Sequence, residues 1–280
     1  TVAMLSACAS GSRLICVPDP RAGDPPFTEV LKIVQKHRPT LMPAVPTIFV
    51  AFTNHAQIYQ FDLTSLMGCF SGGAPLPPEV CKRFEEATGA IIFEGYGLSE
   101  TAPVATANPA NAETRKLGSI GFPAPSTDVK ILDVETGTSE LPRGEDGEVA
   151  ISGPQVMKGY WRRPDETAKT MRGDWFLTGD EGHMEEDGQI AYHGRDDAMM
   201  NAGGSRVSPL EVEEVLLLHE AVHEASVIGR PHPEWGEEVV AFVVTAAGRE
   251  VTTGELDALF DQSGVSYDKA AADKIREANA

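Results

Sequence analysis

The amino-acid sequence predicts an α/β protein that passes into antiparallel β structure and ends in a compact α+β unit. Three observations predict it. Helical and strand-like patterns alternate up to about residue 94, as in a mostly parallel sheet with helices on its faces. From about Gly118 short β runs follow one another between Gly/Pro/Asp turns. Beyond Arg195 a strongly capped helix precedes two further strands. At 280 residues the chain exceeds the usual single-domain size, so a larger and a smaller piece, each with its own core, are expected.

The elements follow in order. Residues 1–18 carry a small-residue apolar helix pattern that runs into the strand-like Arg13-Leu14-Ile15-Cys16-Val17, which Pro18 stops. Residues 27–37 read as an amphipathic helix, with Phe27, Val30, Leu31 and Val34 at spacings of three and four. A strand at 40–44, a helix at 46–55, a strand at 66–71, a helix at 77–88 and a strand at 90–94 repeat the alternation. The antiparallel runs are 128–133, 147–153 and 189–193. In the last unit Ser208 can cap a helix, Pro209 suits its first turn and Glu211 completes a capping box, with Val212, Val215 and Leu216 on one side. Strands at 225–229 and 238–245 follow.

Composition narrows the partners. Apolar residues make up 41%, with 20 Pro and 27 Gly, which is globular and not disordered. A net charge of −19 without any basic run repels phosphate backbones and anionic bilayers, so no nucleic-acid partner is expected. A small anion needs only local donors and a metal ion, and global charge does not forbid it. Cys8, Cys16, Cys69 and Cys81 lack paired zinc spacing and are too sparse for a disulfide framework, which suits a reducing cytoplasm. Leu5-Ser6-Ala7-Cys8 matches a lipoprotein box only superficially, without a basic segment or long apolar run before it. The longest apolar stretches, 44–52 and 239–247, fall short of the roughly 20 residues that span a bilayer, so no integral membrane segment is expected.

Three glycine-bearing loops follow predicted strands: Ser71-Gly72-Gly73-Ala74-Pro75, Glu94-Gly95-Tyr96-Gly97-Leu98-Ser99-Glu100-Thr101, and Asn201-Ala202-Gly203-Gly204-Ser205. Glycine lets backbone approach a ligand closely. In the second loop Tyr96 can stack on a base, Ser99 and Thr101 can bond phosphate oxygens, and Glu100 can hold Mg²⁺. Downstream, Asp180 closes the β-like Trp175-Phe176-Leu177-Thr178-Gly179-Asp180, where a carboxylate can accept both hydroxyls of a ribose, and Arg195 supplies fixed donors.

His219-Glu220-Ala221-Val222-His223 matches the HExxH zinc-hydrolase motif. That motif needs both histidines on one face of a continuing helix. The chain is expected to leave the helix and enter a strand here, so zinc hydrolysis is a remote alternative.

Taken in order, Gly72-Gly73-Ala74-Pro75, Gly95-Tyr96-Gly97-Leu98-Ser99-Glu100, Thr178-Gly179-Asp180, and Gly194-Arg195 through Gly203-Gly204 to Val207-Ser208-Pro209-Leu210-Glu211 resemble successive signatures of one superfamily. It comprises acyl-CoA synthetases, peptide-synthetase adenylation domains and luciferases, and the resemblance covers roughly residues 1–260. Gly153-Pro154-Gln155-Val156-Met157-Lys158-Gly159-Tyr160-Trp161 and Gly229-Arg230-Pro231-His232-Pro233 are similar to its fatty acyl-CoA ligases.

The resemblance implies that residues 1–194 are the C-terminal part of a large AMP-binding domain, with a mixed sheet and helices and then antiparallel β. It implies that 195–280 form a small α+β domain, truncated or divergent after about residue 264. By the same resemblance Gly73, Ala74, Pro75 and Tyr96 line an adenine pocket within a nucleotide loop that includes Gly95 and Gly97. Ser99 nears the α-phosphate, Glu100 binds Mg²⁺, Asp180 and Arg195 grip the ribose, and Asp197 is the hinge. Gly203 and Gly204 would border the channel for the CoA thiol arm.

The implied activity is ATP-dependent activation of a carboxylic acid to acyl-AMP and its transfer to CoA. A medium- or long-chain fatty acid is expected ahead of aryl or alicyclic acids, since small residues near Val45-Pro46-Thr47, Gly73 and Gly95 leave room for a chain. Two family parts have no counterpart in the sequence: the phosphate loop with its lysine, and a Gly-Lys motif after Gly264, where Lys269 and Lys274 lack the glycine. The chain alone is therefore expected to bind nucleotide weakly and not to turn over. The rival is a catalytically inactive nucleotide-binding paralogue, against which Glu100, Asp180 and Arg195 speak. Ala198 and Asn201 depart from the hinge pattern of the family.

Overall fold

A computed structural model describes residues 2–263 apart from 220, 234 and 247. The chain divides into two compact units: Thr1–Thr178 with His183–Ala191, and Gly179–Gly182 with Tyr192–Ala280.

The first unit opens with α1 (Val2–Ser10), α2 (Thr28–His37), β1 (Leu41–Ala44), α3 (Pro46–Thr53), β2 (Gly68–Ser71), α4 (Pro78–Thr88) and β3 (Ile91–Tyr96). Proline in the first turn starts α3 and α4, where its missing N–H costs nothing. Gly89, in the left-handed region, ends α4 and returns its N–H to the Glu85 carbonyl at 2.7 Å. Strands β1, β2 and β3 run parallel, with Ala44 beside Ser71 and Ser71 beside Glu94. Their C-terminal ends therefore share one rim. Val30, Leu31 and Val34 of α2 are buried with Phe49, Phe52 and Phe84, whose rings meet Phe84 edge-on at 5.1 Å and stacked at 6.3 Å. Each such ring contributes about 1.5–3 kcal/mol by leaving water.

β4 (Thr106–Ala107), β5 (Ser119–Pro123), β6 (Asp128–Leu132), β7 (Gly147–Ser152), α5 (Pro164–Thr170), β8 (Met171–Arg172), β9 (Trp175–Met184) and β10 (Ile190–Arg195) follow. Among the described residues the large sheet has the order β1-β2-β3-β4-β5-β10-β9-β7-β6, with β8 beside β9. It turns from parallel to antiparallel at β3, where Gly95 and Tyr96 pair with Ala107 and Thr106. Val129, Ile131, Val149, Ile151 and Ile190 form the core here.

In the second unit β11 (Met200–Ala202), β12 (Ser205–Val207), β13 (Val222–His232) and β14 (Gly236–Thr245) form an antiparallel sheet of order β12-β11-β14-β13. The helices α6 (Pro209–Leu217) and α7 (Thr253–Ser263) belong to the same unit. Val212, Val215 and Leu216 bury against Met200, Val207, Leu256 and Phe260. The Ser208 hydroxyl accepts the Glu211 N–H at 3.4 Å, half of the expected capping box, and the Glu211 carboxylate lies 3.5 Å from His193 Nδ1.

Several expectations are corrected. Residues 12–17 form no strand; they are mostly exposed, and no strand pairs with them among the described residues. β9 does not end at Asp180 but runs on to Met184. β4, β5 and α5 went unread because β4 has two residues, β5 contains Gly121 and Pro123, and α5 buries none of its residues. Helix α6 stops at Leu217, His219 lies beyond its cap and His223 sits in β13, so the two histidines share no helix face. Glu220 of that motif, with Lys269 and Lys274, lies outside the described residues. No helix of the described residues is long and apolar enough to cross a membrane.

Candidate functional site

In the first unit two loops leave the shared rim side by side. A Cβ on Gly72, just after β2, would stand 3.2 Å from the Gly95 carbonyl of β3. Gly73, Ala74 and Pro75 are exposed, and the Leu76 N–H ties the returning chain to the Glu94 carboxylate at 3.1 Å. The backbone of this loop is thus presented to solvent while its ends are fastened. Tyr96, at the end of β3, is half-buried against the core of Ala105, Val149 and Ile190.

Beyond Tyr96 the chain folds back on itself. A Cβ on Gly97 would lie 1.8 Å from the Pro103 carbonyl oxygen, so only glycine fits. Ser99–Thr101 is one turn of 3-10 helix. Thr101 is wholly buried; its hydroxyl accepts the Leu98 N–H at 2.9 Å and donates to the Leu98 carbonyl at 3.1 Å. Its expected bond to a phosphate is therefore corrected: the hydroxyl braces the turn. Ser99 is exposed. Glu100 is partly buried, and its Oε1 accepts the Tyr160 hydroxyl at 2.7 Å, while its carbonyl accepts the Met157 N–H at 2.8 Å. Ser99 and Glu100, neighbours in the chain, offer hard-oxygen donors of the kind Mg²⁺ takes, a cation that accepts one or two carboxylates and fills its shell with phosphate and water.

In the second unit Asp180 is 3% exposed, and its Oδ1 lies 3.6 Å from Arg195 Nη1. Arg195 Nε lies 3.4 Å from Asp197 Oδ1. Burial opposes the Arg195 charge, yet the Asp180 carboxylate and then Asp197 outweigh it and raise its pKa. The Tyr192 phenol is pushed up to about 12, first by burial and then by the negative charge of Asp180. Glu181, next along β9, accepts Arg206 at 2.5 Å, and Arg206 also pairs with Asp196. Burial, with the neighbouring Asp196, pushes the Glu181 carboxyl above its ordinary range against the pull of Arg206. Gly203 and Gly204 form the exposed turn between β11 and β12 with φ of 63° and 89°, values that a two-residue hairpin turn demands of glycine.

In the first unit the loops after β2 and β3 start side by side, with Gly72 against Gly95 and Leu76 bonded to Glu94, and in the second unit Asp180, Arg195 and Asp197 come together. Tyr160 and Tyr192, which act on Glu100 and on Asp180, were missed, as was the neighbouring Glu181–Arg206–Asp196 cluster. Only Tyr160 had a signal, since it lies in the motif-like segment 153–161.

The AMP-binding enzyme family model matches residues 1–161, and the model of the AMP-binding enzyme C-terminal domain matches residues 211–275. A long-chain-fatty-acid–CoA ligase of Bacillus subtilis (strain 168) is 48% identical over 230 residues, 82% of this chain and 41% of that protein. The crystal structure of the anthranilate CoA ligase AuaEII in complex with anthranoyl-AMP superposes with a TM-score of 0.83 at 28% identity, covering 95% of this chain and 50% of that one. The amide bond synthetase McbA from Marinactinospora thermotolerans superposes with a TM-score of 0.80 at 33% identity, covering 90% and 51%. The chain thus spans about half the length, or less, of the proteins it resembles.

Proposed function

The chain belongs to the AMP-binding enzyme family, and from that premise we propose that it is part of an acid–thiol ligase. The ligase activates a carboxylic acid with ATP to acyl-AMP and passes the acyl group to CoA. What carries the reading is the rim of the first unit, where two glycine-bearing loops start against each other and the second bears a Glu100 carboxylate held by Tyr160.

In this reading the backbone of Gly73, Ala74, Pro75, Gly95 and Gly97 and the ring of Tyr96 receive the adenine. Asp180 accepts the ribose hydroxyls, with Arg195 held in place by Asp180 and Asp197. Ser99 donates to the α-phosphate, and Glu100 holds Mg²⁺, which when bound neutralises charge on the phosphates. The substrate carboxylate attacks the α-phosphorus, the bond to pyrophosphate breaks, and charge spread over the phosphoryl oxygens meets fixed donors. CoA sulfur then displaces AMP from the acyl carbon. Asp197 serves as hinge between a large domain ending near residue 194 and a small one from 195, with Gly203 and Gly204 along the thiol channel.

A medium- or long-chain fatty acid is the proposed substrate, supported by the 48% identity with a long-chain-fatty-acid–CoA ligase. The likeness to McbA favours one second reading, in which an amine replaces the thiol. Pyrophosphate release by the full-length protein, screened across fatty, aryl and alicyclic acids with CoA or amine as acceptor, decides between them. Release with a medium- or long-chain fatty acid and CoA is expected; no release with any acid overturns the ligase reading. Because the segment spans 41% of the similar ligase, ATP–pyrophosphate exchange by these residues alone is expected to be absent.

A further inference from the structure

Residues 153–161 reach Glu100 from 60 positions away in sequence and hold it at two points. The Met157 N–H donates to the Glu100 carbonyl at 2.8 Å, and the Tyr160 hydroxyl donates to its Oε1 at 2.7 Å. Tyr160 is itself fastened. Its N–H donates to Thr167 Oγ1 at 2.9 Å, and that hydroxyl donates to the Arg163 carbonyl at 2.9 Å. Gly159, with φ of 139°, lets the chain pass so close that a Cβ there would stand 2.8 Å from the Thr167 methyl. From α5 to the carboxylate the support is continuous: Thr167 to the Tyr160 backbone, a rigid phenol, then Glu100.

We propose that Tyr160 is a positioning residue that pre-orders the Glu100 carboxylate for a divalent cation. The inference rests on the reading of Glu100 as the Mg²⁺ ligand. A free glutamate must give up rotamer freedom each time it binds a metal, and a side chain already held by a neighbour has lost that freedom in advance. An ionised carboxylate has about four lone-pair sites, so accepting one hydroxyl leaves capacity for a cation. The phenol suits the task because it has two side-chain torsions and donates without carrying charge.

The test uses the full-length protein and Mn²⁺, with a non-reacting ATP analogue present, and reads free Mn²⁺ by its electron paramagnetic resonance signal. Tyr160→Phe is expected to raise the Mn²⁺ concentration for half-saturation about ten-fold, the loss of one hydrogen bond to a charged group. Thr167→Ala should raise it by about three-fold, because it loosens the support and leaves the bond in place, and Thr167→Ser should restore it. Glu100→Gln should weaken Mn²⁺ binding at least as much as Tyr160→Phe. If Tyr160→Phe binds like wild type while Glu100→Gln is weakened, the positioning role is overturned and the ligase reading stands. If Tyr160→Phe binds more tightly, the hydroxyl competes with the cation and the proposal is likewise overturned. If Glu100→Gln binds like wild type, Glu100 is no ligand and both readings fall. Should Tyr160→Phe fail to fold, the Thr167 pair decides alone: equal affinity in the Ala and Ser variants overturns the proposal.

Discussion

In the first unit the turn that carries Ser99 and Glu100 owes its shape to backbone crowding, with Gly97 against the Pro103 carbonyl and Thr101 sealed beneath. In the second unit Asp180 and Glu181 lie buried in β9, and their charges are met by Arg195 and Arg206. Steric fit does not respond to salt or pH, but one added methyl breaks it. A buried carboxylate paired with a half-exposed arginine tolerates changes of shape and responds to changes of charge. The two groups of residues, each within its own unit, should therefore fail under opposite perturbations.

The sharpest test of that contrast is Gly97→Ala. Its Cβ would overlap a backbone oxygen, so the turn must shift by more than an ångström. Pyrophosphate release is expected to fall on the order of a hundred-fold, with the far-ultraviolet circular dichroism kept and the loss equal from pH 6 to 8. A fall of less than three-fold would mean that the turn adapts. Next in size is Arg206→Met, which strands the buried Glu181 and should cost about 1–2 kcal/mol at neutral pH, discounted because Arg206 is half-exposed.

The sign of the pH effect follows from Glu181, whose folded pKa lies above its ordinary value. Its contribution to stability is full below the unfolded pKa and is lost as pH rises through the folded one. Arg206→Met should thus melt closest to wild type in acid and fall further behind as pH rises past the carboxylate range; a constant gap would deny the pairing. The smallest effect is set by Glu214 on α6, pushed up from 4.5 to about 7 by burial and then by the charges of Glu211 and Glu213. Its stabilisation is full below about 4.5 and disappears as pH climbs through about 7. Glu214→Gln should flatten that decline and leave the variant about 1 kcal/mol more stable at pH 8, read from urea unfolding.

How far such features could be read in advance depends on distance along the chain. The alternation of α2, β1, α3, β2, α4 and β3 was legible because each element declares itself within a few residues through apolar spacing and through Pro46, Pro78 and Gly89. Strand β5 was not, since Gly121 and Pro123 read as turn residues. The loop bearing Ser99 and Glu100 was found because its unusual residues are contiguous. Tyr160 and Arg206 were not matched to their partners, because 60 and 25 positions separate them and no local pattern records such a pairing.

The sequence by itself determined which residue types stand at each bend and strand end, and with them the family, because backbone preference and side-chain chemistry are local properties. Only the tertiary structure decided that the Thr101 hydroxyl turns inward, that β9 runs on through Asp180, and that a phenol from a distant segment holds Glu100. Those outcomes depend on which segments come together, and a hydrogen-bonding group takes its partner from whatever the closed fold brings within about 3 Å.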